Sequence, residues 1–250
     1  MVKFIPHFLS FFTSFIFCEV NFTIENNTIL FKIENDTIQY PFLGGFNQPR
    51  IQWIDWDNDS DFDLFLKDEG NVLRYYENIG DSINYEFNLK STNFNNISLG
   101  NWFAFRDFDF DGDFDLVTQN KNFQIGSYSA IMYYRNEDYD FNLITEGLQT
   151  TDGELVYSEL VSTPTFSDID NDGDFDFFSG NSSNGSLTFY ENVGIENSAP
   201  IFNYITNFWQ EISIIGDLNL RHGASAVTFI DIDNDNDLDL SWGDYFQPSL

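Results

Sequence analysis

Basic residues are scarce in this sequence. The chain of 250 residues has 10 lysines and arginines against 41 aspartates and glutamates, so its formal net charge is −31. Nucleic acids are bound through clustered lysine and arginine side chains, and so few basic residues spread over this length form no such cluster. We therefore exclude nucleic acids as partners, disfavour anionic membrane surfaces, and expect cations to be the natural partners.

Cysteine and histidine are nearly absent as well. The chain has one cysteine, Cys18, and two histidines, which excludes thiol chemistry and a metal site made of several histidines. His222 stands alone before a predicted strand, where a turn or surface role is far more common than catalysis, and no phosphate-binding glycine motif is present. We expect no enzymatic activity, although paired carboxylates for glycoside hydrolysis stay open as an alternative.

The sequence lacks a long apolar run outside its N-terminus. There, Lys3 is followed by an apolar stretch over residues 4–17, which is shorter than the roughly 20 residues that a spanning helix needs. This pattern predicts a signal peptide over residues 1–18, a secreted or cell-surface protein, and no membrane span after cleavage. The alternatives are a buried N-terminal element and an uncleaved anchor, whereas Phe15 and Phe17 argue against lipidation at Cys18.

Aromatic residues are abundant by contrast. Thirty phenylalanines and a hydrophobic fraction of 42% are too many for a disordered acidic chain. The aromatic residues are spread evenly, with no change in composition that would mark a linker. We therefore predict one domain with a buried core over residues 19–250.

The strongest signal is a repeat. Four ten-residue segments, 55–64, 107–116, 168–177 and 231–240, align without gaps. We call them the first to fourth acidic loops and count positions from the first aspartate of each. Aspartate occupies positions 1, 3, 5, 7 and 9 in all four loops: Asp55, Asp57, Asp59, Asp61, Asp63, Asp107, Asp109, Asp111, Asp113, Asp115, Asp168, Asp170, Asp172, Asp174, Asp176, Asp231, Asp233, Asp235, Asp237 and Asp239.

Such crowding of carboxylates predicts a bound cation. Like charges this close repel by several kcal/mol at low effective dielectric, unless a hard cation that prefers oxygen ligands lies among them. Calcium fits this requirement, and we expect about four ions in structural sites. The alternative is a solvated acidic loop in which aspartate serves only as a turn residue.

Position 6, where the chain turns, is occupied by residues that mostly tolerate a left-handed backbone. It is Gly112 and Gly173 in the second and third loops and Asn236 in the fourth. Ser60 in the first loop departs from this pattern, because serine adopts a left-handed backbone less readily than glycine or asparagine does. An EF-hand is excluded because position 12 lacks the required glutamate: it is Leu66, Thr118, Ser179 and Trp242.

The flanks of the acidic loops predict strands. Short β-prone runs precede the loops at 50–54, 102–105, 165–166 and 226–230, and others follow at 64–66, 116–118, 177–179 and 240–242. Third strands are predicted at 73–77, 131–134 and 187–191, and fourth strands at 85–89, 141–144 and 201–205. Four antiparallel strands per repeat of about 50 to 60 residues indicate an all-β protein built from β-propeller blades.

The sequence resembles the FG-GAP or VCBS repeat family, whose calcium-binding blades also form the head of integrin α chains. The resemblance runs from about Phe42 to the C-terminus, and the stretch 191–202 is similar to the inter-blade segment of bacterial secreted members. It implies a β-propeller with calcium bound between the first two strands of each blade. The ligands implied in each loop are the side chains at positions 1, 3, 5 and 9 and the carbonyl at position 7.

The number of loops departs from the family pattern. Its propellers commonly have about seven blades, whereas this chain has four acidic loops and ends ten residues after Leu240. We expect a fragment of a longer protein, an incomplete propeller. The alternative is that N-terminal strands near residues 21–40 complete the last blade and close a small ring.

Three functions are compatible with these patterns. The first is a non-catalytic, calcium-stabilised propeller outside the cell that mediates adhesion or protein recognition. The second is a carbohydrate-binding module in which Trp102, Trp209 and Trp242 stack on sugar rings, against the simpler hypothesis that they pack between blades. The third is the non-catalytic part of a larger secreted hydrolase. The partners expected are therefore calcium and an extracellular protein or glycan.

Overall fold

A computed structural model describes residues 31–33, 36–38, 45–213 and 224–244. The chain divides into two compact units, one up to Phe46 and one from Asn47 onward. In the first unit, β1 (Phe31–Ile33) and β2 (Asp36–Ile38) form an antiparallel hairpin. The predicted signal peptide and His222 lie outside the described residues.

The second unit begins with two antiparallel four-stranded sheets. The first sheet consists of β3 (Arg50–Ile54), β4 (Asp63–Lys67), β5 (Arg74–Asn78) and β6 (Phe87–Ser91) in that order. The second consists of β7 (Phe103–Arg106), β8 (Asp115–Ile125), β9 (Tyr128–Glu137) and β10 (Asp140–Thr145). A short 3-10 turn (Phe94–Asn96) lies between them.

Two short strands follow in the connection to the third sheet. β11 (Gln149–Thr150) runs parallel to an outer strand of the third sheet, β16, whose range is Ala199–Thr206. β12 (Tyr157–Glu159) pairs with the start of β9 and so extends the second sheet. This connection therefore adds one strand to each of two neighbouring sheets.

The third sheet repeats the pattern of the first two. It consists of β13 (Thr165–Ser167), β14 (Asp176–Gly180), β15 (Leu187–Glu196) and β16, and a second 3-10 turn (Trp209–Glu211) follows it. In the fourth repeat the described residues form the antiparallel pair β17 (Ala224–Ile230) and β18 (Asp239–Asp244). No helix in the described ranges is long and apolar enough to cross a membrane.

The prediction of an all-β protein with antiparallel sheets is confirmed. Every acidic loop joins the first two strands of its sheet, as predicted, and the predicted strands differ from the observed ones mainly at their ends. The sequence did not predict β11, β12 or the length of β8 and β9. The extension of β8 over residues 119–125 is mostly polar and contains an irregular register between Gln119 and Gln124, so it lacks the alternation that identifies a strand.

Aromatic side chains fill the contacts between consecutive sheets. Phe65 and Phe105 pack edge to face between the first and second sheets, with ring centroids 5.0 Å apart. Phe108 and Phe166 do the same between the second and third sheets at 5.1 Å. Phe178 of the third sheet packs at 4.6 Å on a ring of the fourth repeat, that of Phe229. The abundance of phenylalanine thus serves sheet-to-sheet packing.

The first strands of all four sheets border one cavity. Its volume is about 480 Å³, and its lining includes Gln52 of β3, Ala104 of β7, Thr165 of β13 and Val227 of β17. An isolated parallel bridge joins Thr163 to Ala226, beside the first strands of the third sheet and the fourth repeat. The first strands of the sheets therefore lie side by side around this cavity. Each acidic loop begins at the end of one of these first strands.

We expect the aromatic interface between the first two sheets to be a major source of stability. Phe105 is 1% exposed and contacts four other aromatic rings, so Phe105→Ala should lower the free energy of unfolding by about 3–5 kcal/mol. The control is Phe123→Ala, at a residue 48% exposed, which should cost less than about 0.5 kcal/mol. Urea unfolding of both variants measures the difference, and equal losses would contradict the packing described.

Candidate metal-binding loops

The first three acidic loops each bring three carboxylates together. In the first loop Asp55, Asp57 and Asp59 offer oxygens that all lie within 4.8 Å of one another. The corresponding aspartates at positions 1, 3 and 5 form the same cluster in the second and third loops, Asp107, Asp109 and Asp111, and Asp168, Asp170 and Asp172. In the fourth loop the cluster contains positions 1, 3 and 9, which are Asp231, Asp233 and Asp239.

Backbone N–H groups fix the position-1 carboxylate. In the third loop Asp168 accepts hydrogen bonds from the N–H groups of Asp172 and Gly173, both at 3.1 Å. The carboxylate at position 5, Asp172, accepts from the N–H of Asp174 at 3.1 Å. The first and fourth loops repeat all three bonds, and the second repeats the bonds from positions 6 and 7. The loop backbone therefore winds around its own acidic side chains.

The winding requires a left-handed backbone at two positions in each loop. Position 6 has φ of +97° at Gly112 and +78° at Ser60, so serine adopts the conformation that glycine takes elsewhere. Position 4 is also left-handed, which the sequence analysis did not foresee. Three of its residues are asparagines, Asn58, Asn171 and Asn234, and the fourth is Phe110. Asparagine tolerates this region better than most residues, which explains its recurrence.

The aspartate at position 9 connects separate parts of each of the first three repeats. Asp115 is fully buried and accepts hydrogen bonds from the N–H of Phe108 at 3.2 Å, the N–H of Asn136 at 2.9 Å and the hydroxyl of Tyr133 at 2.7 Å. Asp63 and Asp176 are equally buried and accept the N–H groups at the same two positions. Position 9 thus joins the start of the loop to the third strand of its sheet.

This partner on the third strand is the functional element that sequence reasoning missed. The backbone N–H groups of Asn78 and Asn192 donate hydrogen bonds to the position-9 carboxylates. Their side chains cap the following turn, where Asn78 Oδ1 accepts from the N–H of Gly80 at 3.1 Å. The usable signal was an asparagine at the end of the predicted third strand after each of the first three loops, at 78, 136 and 192.

Several carboxylate oxygens of the loops are buried without a hydrogen-bond partner in the described residues. They are Oδ1 of Asp61, Asp107, Asp109, Asp113 and Asp174, and Asp61 is 7% exposed as a residue. A buried unpaired carboxylate oxygen is costly. Oxygens of this kind beside three clustered carboxylates are the ligands that a hard divalent cation prefers, so the residues fit calcium. At position 7, where the family resemblance implies the carbonyl, one side-chain oxygen is buried in each of the first three loops, whereas Asp237 of the fourth is exposed.

The pKa values of several loop aspartates are raised for the same reasons, burial and repulsion between carboxylates. Burial, followed by repulsion from neighbouring aspartates, raises the pKa of Asp113 and of Asp174 to about 6 from the usual 3.8. Burial also raises the pKa of Asp115 and of Asp176 to about 7, despite the hydrogen bonds that favour their charged forms. Without a cation, these loops therefore hold protons more tightly than ordinary carboxylates do.

The second loop differs from the others in its surroundings. Arg135, the residue before Asn136 on β9, approaches Asp109 with Nε 3.9 Å from Oδ2 and also pairs with Glu137. The residues at the same place in the first and third sheets are Glu77 and Glu191. The second loop thus has a positively charged neighbour where the first and third loops have a negatively charged one. This neighbour offsets part of the repulsion between the carboxylates of the second loop.

The tryptophans considered for sugar stacking pack between sheets or in the core. Trp102 is 1% exposed and lies in the core between the second and third sheets. Trp209 packs edge to face on Phe178 at 5.2 Å, and Trp242 is partly buried in the same cluster. The simpler hypothesis for these residues, packing between sheets, agrees with this placement.

No protein-family model matches the chain, and no curated protein matches it in sequence. What the loops do must therefore be inferred from their own geometry.

Position 6 offers a test of the loop backbone. Ser60 has φ of +78°, so Ser60→Gly should raise the free energy of unfolding by about 1 kcal/mol because glycine adopts this conformation without a Cβ clash. The matched reverse change, Gly112→Ser, should lower it by a similar amount. Thermal unfolding of both variants checks the pair, and shifts of the same sign would contradict the left-handed conformation.

The raised pKa values predict how pH affects the protein in the presence of a chelator. The folded form holds these protons more tightly than the unfolded chain, so the stability that they contribute is complete at low pH and disappears as pH rises through about 6 to 7. The Tm in chelator should therefore fall between about pH 4 and pH 7. Asp174→Asn should reduce this dependence and the exposed-site control Glu154→Gln should not; a Tm that rises over the interval would contradict the prediction.

Proposed function

We propose that this chain is a calcium-stabilised β-propeller protein of the secreted or cell-surface kind, which has no catalytic role and mediates adhesion or recognition. The observation that carries the proposal is the repeated loop geometry, in which three carboxylates lie together beside buried oxygens that have no hydrogen-bond partner in the described residues. Calcium supplies the missing positive charge and accepts six to eight oxygen ligands.

The ligand sets follow from the loops. In the first three, the side chains at positions 1, 3 and 5 form the clusters, and the buried oxygens at position 7 of Asp61, Asp113 and Asp174 lie in the same loops. Position 9 accepts backbone N–H groups there, so it acts as the support of the site as well as a potential ligand. In the fourth loop Asp239 belongs to the cluster itself.

The arrangement of the sheets supports the propeller part of the proposal. Consecutive four-stranded sheets pack face to face through aromatic interfaces, and their first strands border a common cavity, as blades do around a propeller axis. In the first two loops the position-2 residue also extends toward an interface: Trp56 contacts the ring of Phe105 and Phe108 contacts that of Phe166. A cation in the loop would therefore stabilise contacts between blades as well as the loop.

Calcium in these loops has a structural role, because it offsets the repulsion between the clustered carboxylates. An ion that binds only the folded protein stabilises it by mass action, by about 2.7 kcal/mol per site at one hundred times its dissociation constant. Millimolar calcium outside cells suits sites of moderate affinity. Propeller faces carry broad loop surfaces, which suit recognition of an extracellular partner.

Calcium titration by calorimetry, with Tm measured in parallel and magnesium as the control ion, tests the proposal. We expect binding of about four ions and a Tm that rises by several degrees, since 1 kcal/mol corresponds to about 2–4 °C in a chain of this size. Asp170→Asn should remove about one equivalent of binding and part of the Tm gain, because it deletes one carboxylate of the third cluster.

The matched control is Glu69→Gln, which removes one negative charge at an exposed residue outside every cluster. It should retain full binding and the full Tm gain. A folded protein whose Tm is the same in calcium and in chelator would contradict the proposal, as would equal losses in the two variants.

A further inference from the structure

The second sheet has an arm that the other sheets lack. β8 and β9 are 11 and 10 residues long, whereas the corresponding strands β4 and β5 of the first sheet have five residues each. The end of the arm turns at Gly126, and its last pairs are Gln124 with Ser129 and Ile125 with Tyr128. The arm is therefore a specific addition to one repeat and no part of the common loop pattern.

The arm is held rigidly at its base. Gln119 Nε2 donates a hydrogen bond to the carbonyl of Glu159 at 2.9 Å, and Ser129 Oγ donates to the carbonyl of Asn120 at 2.7 Å. The strand β12 pairs with β9, and the N–H of Leu160 donates to the carbonyl of Ser127 at 2.8 Å. These bonds fix the arm against the segment that leads to the third sheet.

A cleft of about 270 Å³ lies between this arm and the third sheet. Four tyrosines from four strands line it: Tyr128 of β9, Tyr157 of β12, Tyr190 of β15 and Tyr204 of β16. Tyr204 is 53% exposed, Tyr128 is 39% exposed, and Tyr190 is buried with its ring edge-on to Tyr204 at 5.3 Å. We name this the tyrosine cleft; it combines a buried aromatic floor with exposed rings at its mouth.

The remaining lining is uncharged and, apart from Ile125 and Gly180, polar. It includes Ser179, Asn181, Thr188 and Asn207, and no lysine, arginine, aspartate or glutamate belongs to it. Asn181 Oδ1 accepts from the N–H and hydroxyl of Ser183, which leaves its Nδ2 group for a ligand. Thr188 and Asn207 bring a further hydroxyl and amide group to the cleft.

A buried carboxylate holds the two walls of the tyrosine cleft together. Glu159 is 3% exposed; its Oε1 accepts a hydrogen bond from the hydroxyl of Tyr128 at 3.3 Å and its Oε2 accepts from the N–H of Ser182 at 2.8 Å. The first bond fixes a ring of the arm and the second fixes the loop after β14. The cleft is thus preorganised, which reduces the entropy cost of binding.

These features indicate which class of ligand the tyrosine cleft can bind. An anion is disfavoured because the formal charge of the chain is −31 and no basic side chain lines the cleft. A purely apolar ligand would leave the amide and hydroxyl groups unpaired. A cavity of about 270 Å³ lies just below the range of drug-sized ligands, about 300–1,000 Å³, so it suits a single ring.

We infer that the tyrosine cleft binds an uncharged saccharide ring. The apolar face of a pyranose packs against aromatic rings, and its hydroxyl groups donate to and accept from the amide and hydroxyl side chains. Tyr204 and Tyr128 provide the packing surface, and Asn181, Thr188 and Asn207 provide the hydrogen bonds. The inference gives a ligand class to the recognition role and rests on the proposed function to that extent, although no calcium-loop aspartate lines the cleft.

Saturation-transfer NMR and calorimetry on the full chain in calcium test the inference. The probes are a panel of neutral methyl glycosides of glucose, mannose, galactose, fucose and N-acetylglucosamine, with glucuronate as the anionic and choline as the cationic comparison. We expect at least one neutral glycoside to bind, and we expect Tyr204→Ala and Asn207→Ala each to weaken that binding by about tenfold or more. Both residues are exposed, so these variants should fold.

The matched control is Tyr85→Ala, at a tyrosine that is 63% exposed in the segment before β6 and outside the cleft; it should bind the glycoside as the parent does. Binding of choline but of no glycoside, no binding of any glycoside, or equal losses in Tyr204→Ala and Tyr85→Ala would overturn the inference. Calcium binding and Tm are measured on the same sample, so a protein that binds calcium without sugar separates failure of this inference from failure of the proposed function.

Discussion

Repulsion between clustered carboxylates is the constraint on which the rest of this structure depends. Each acidic loop places five aspartates within nine residues, and the fold opposes their repulsion with backbone N–H groups directed at positions 1, 5 and 9. The compensation is incomplete, because several buried oxygens keep no partner in the described residues and the pKa values of Asp115 and Asp176 rise to about 7. Protons or a divalent cation must supply the remaining positive charge. We proposed calcium because every available ligand is an oxygen.

The acidic loops are coupled to the hydrophobic core through two positions. Position 9 receives the N–H of the third strand, and position 2 places its side chain in an aromatic interface in the first two repeats, at Trp56 and Phe108. A change in the charge state of a loop therefore acts on the packing between sheets. The chain has one cysteine, so no disulfide bond within it contributes to this packing.

The regular and the irregular parts of the repeats serve different purposes. The loops, the third-strand asparagines and the aromatic interfaces recur because each sheet must meet the same packing and charge requirements. The arm of β8 and β9 recurs in no other described sheet, and it borders the tyrosine cleft. A feature that stability does not require in the other repeats is a natural place for a specific ligand site.

The sequence by itself determined the local structure of this protein. The period-2 aspartates, the turn residues at position 6 and the alternating strands specify strand-loop-strand units, because these signals act over a few residues. The sequence also indicated cation sites, since five aspartates in nine residues cannot be neutralised by ten basic side chains elsewhere. Tertiary structure alone decided what depends on distant contacts. It placed the N–H of Asn136 on Asp115, packed Trp102 into the core, and brought Tyr128, Tyr157, Tyr190 and Tyr204 into one cleft. These tyrosines are up to 76 positions apart, and no local pattern records which of them will meet, because their proximity results from how two sheets and a connecting strand pack together.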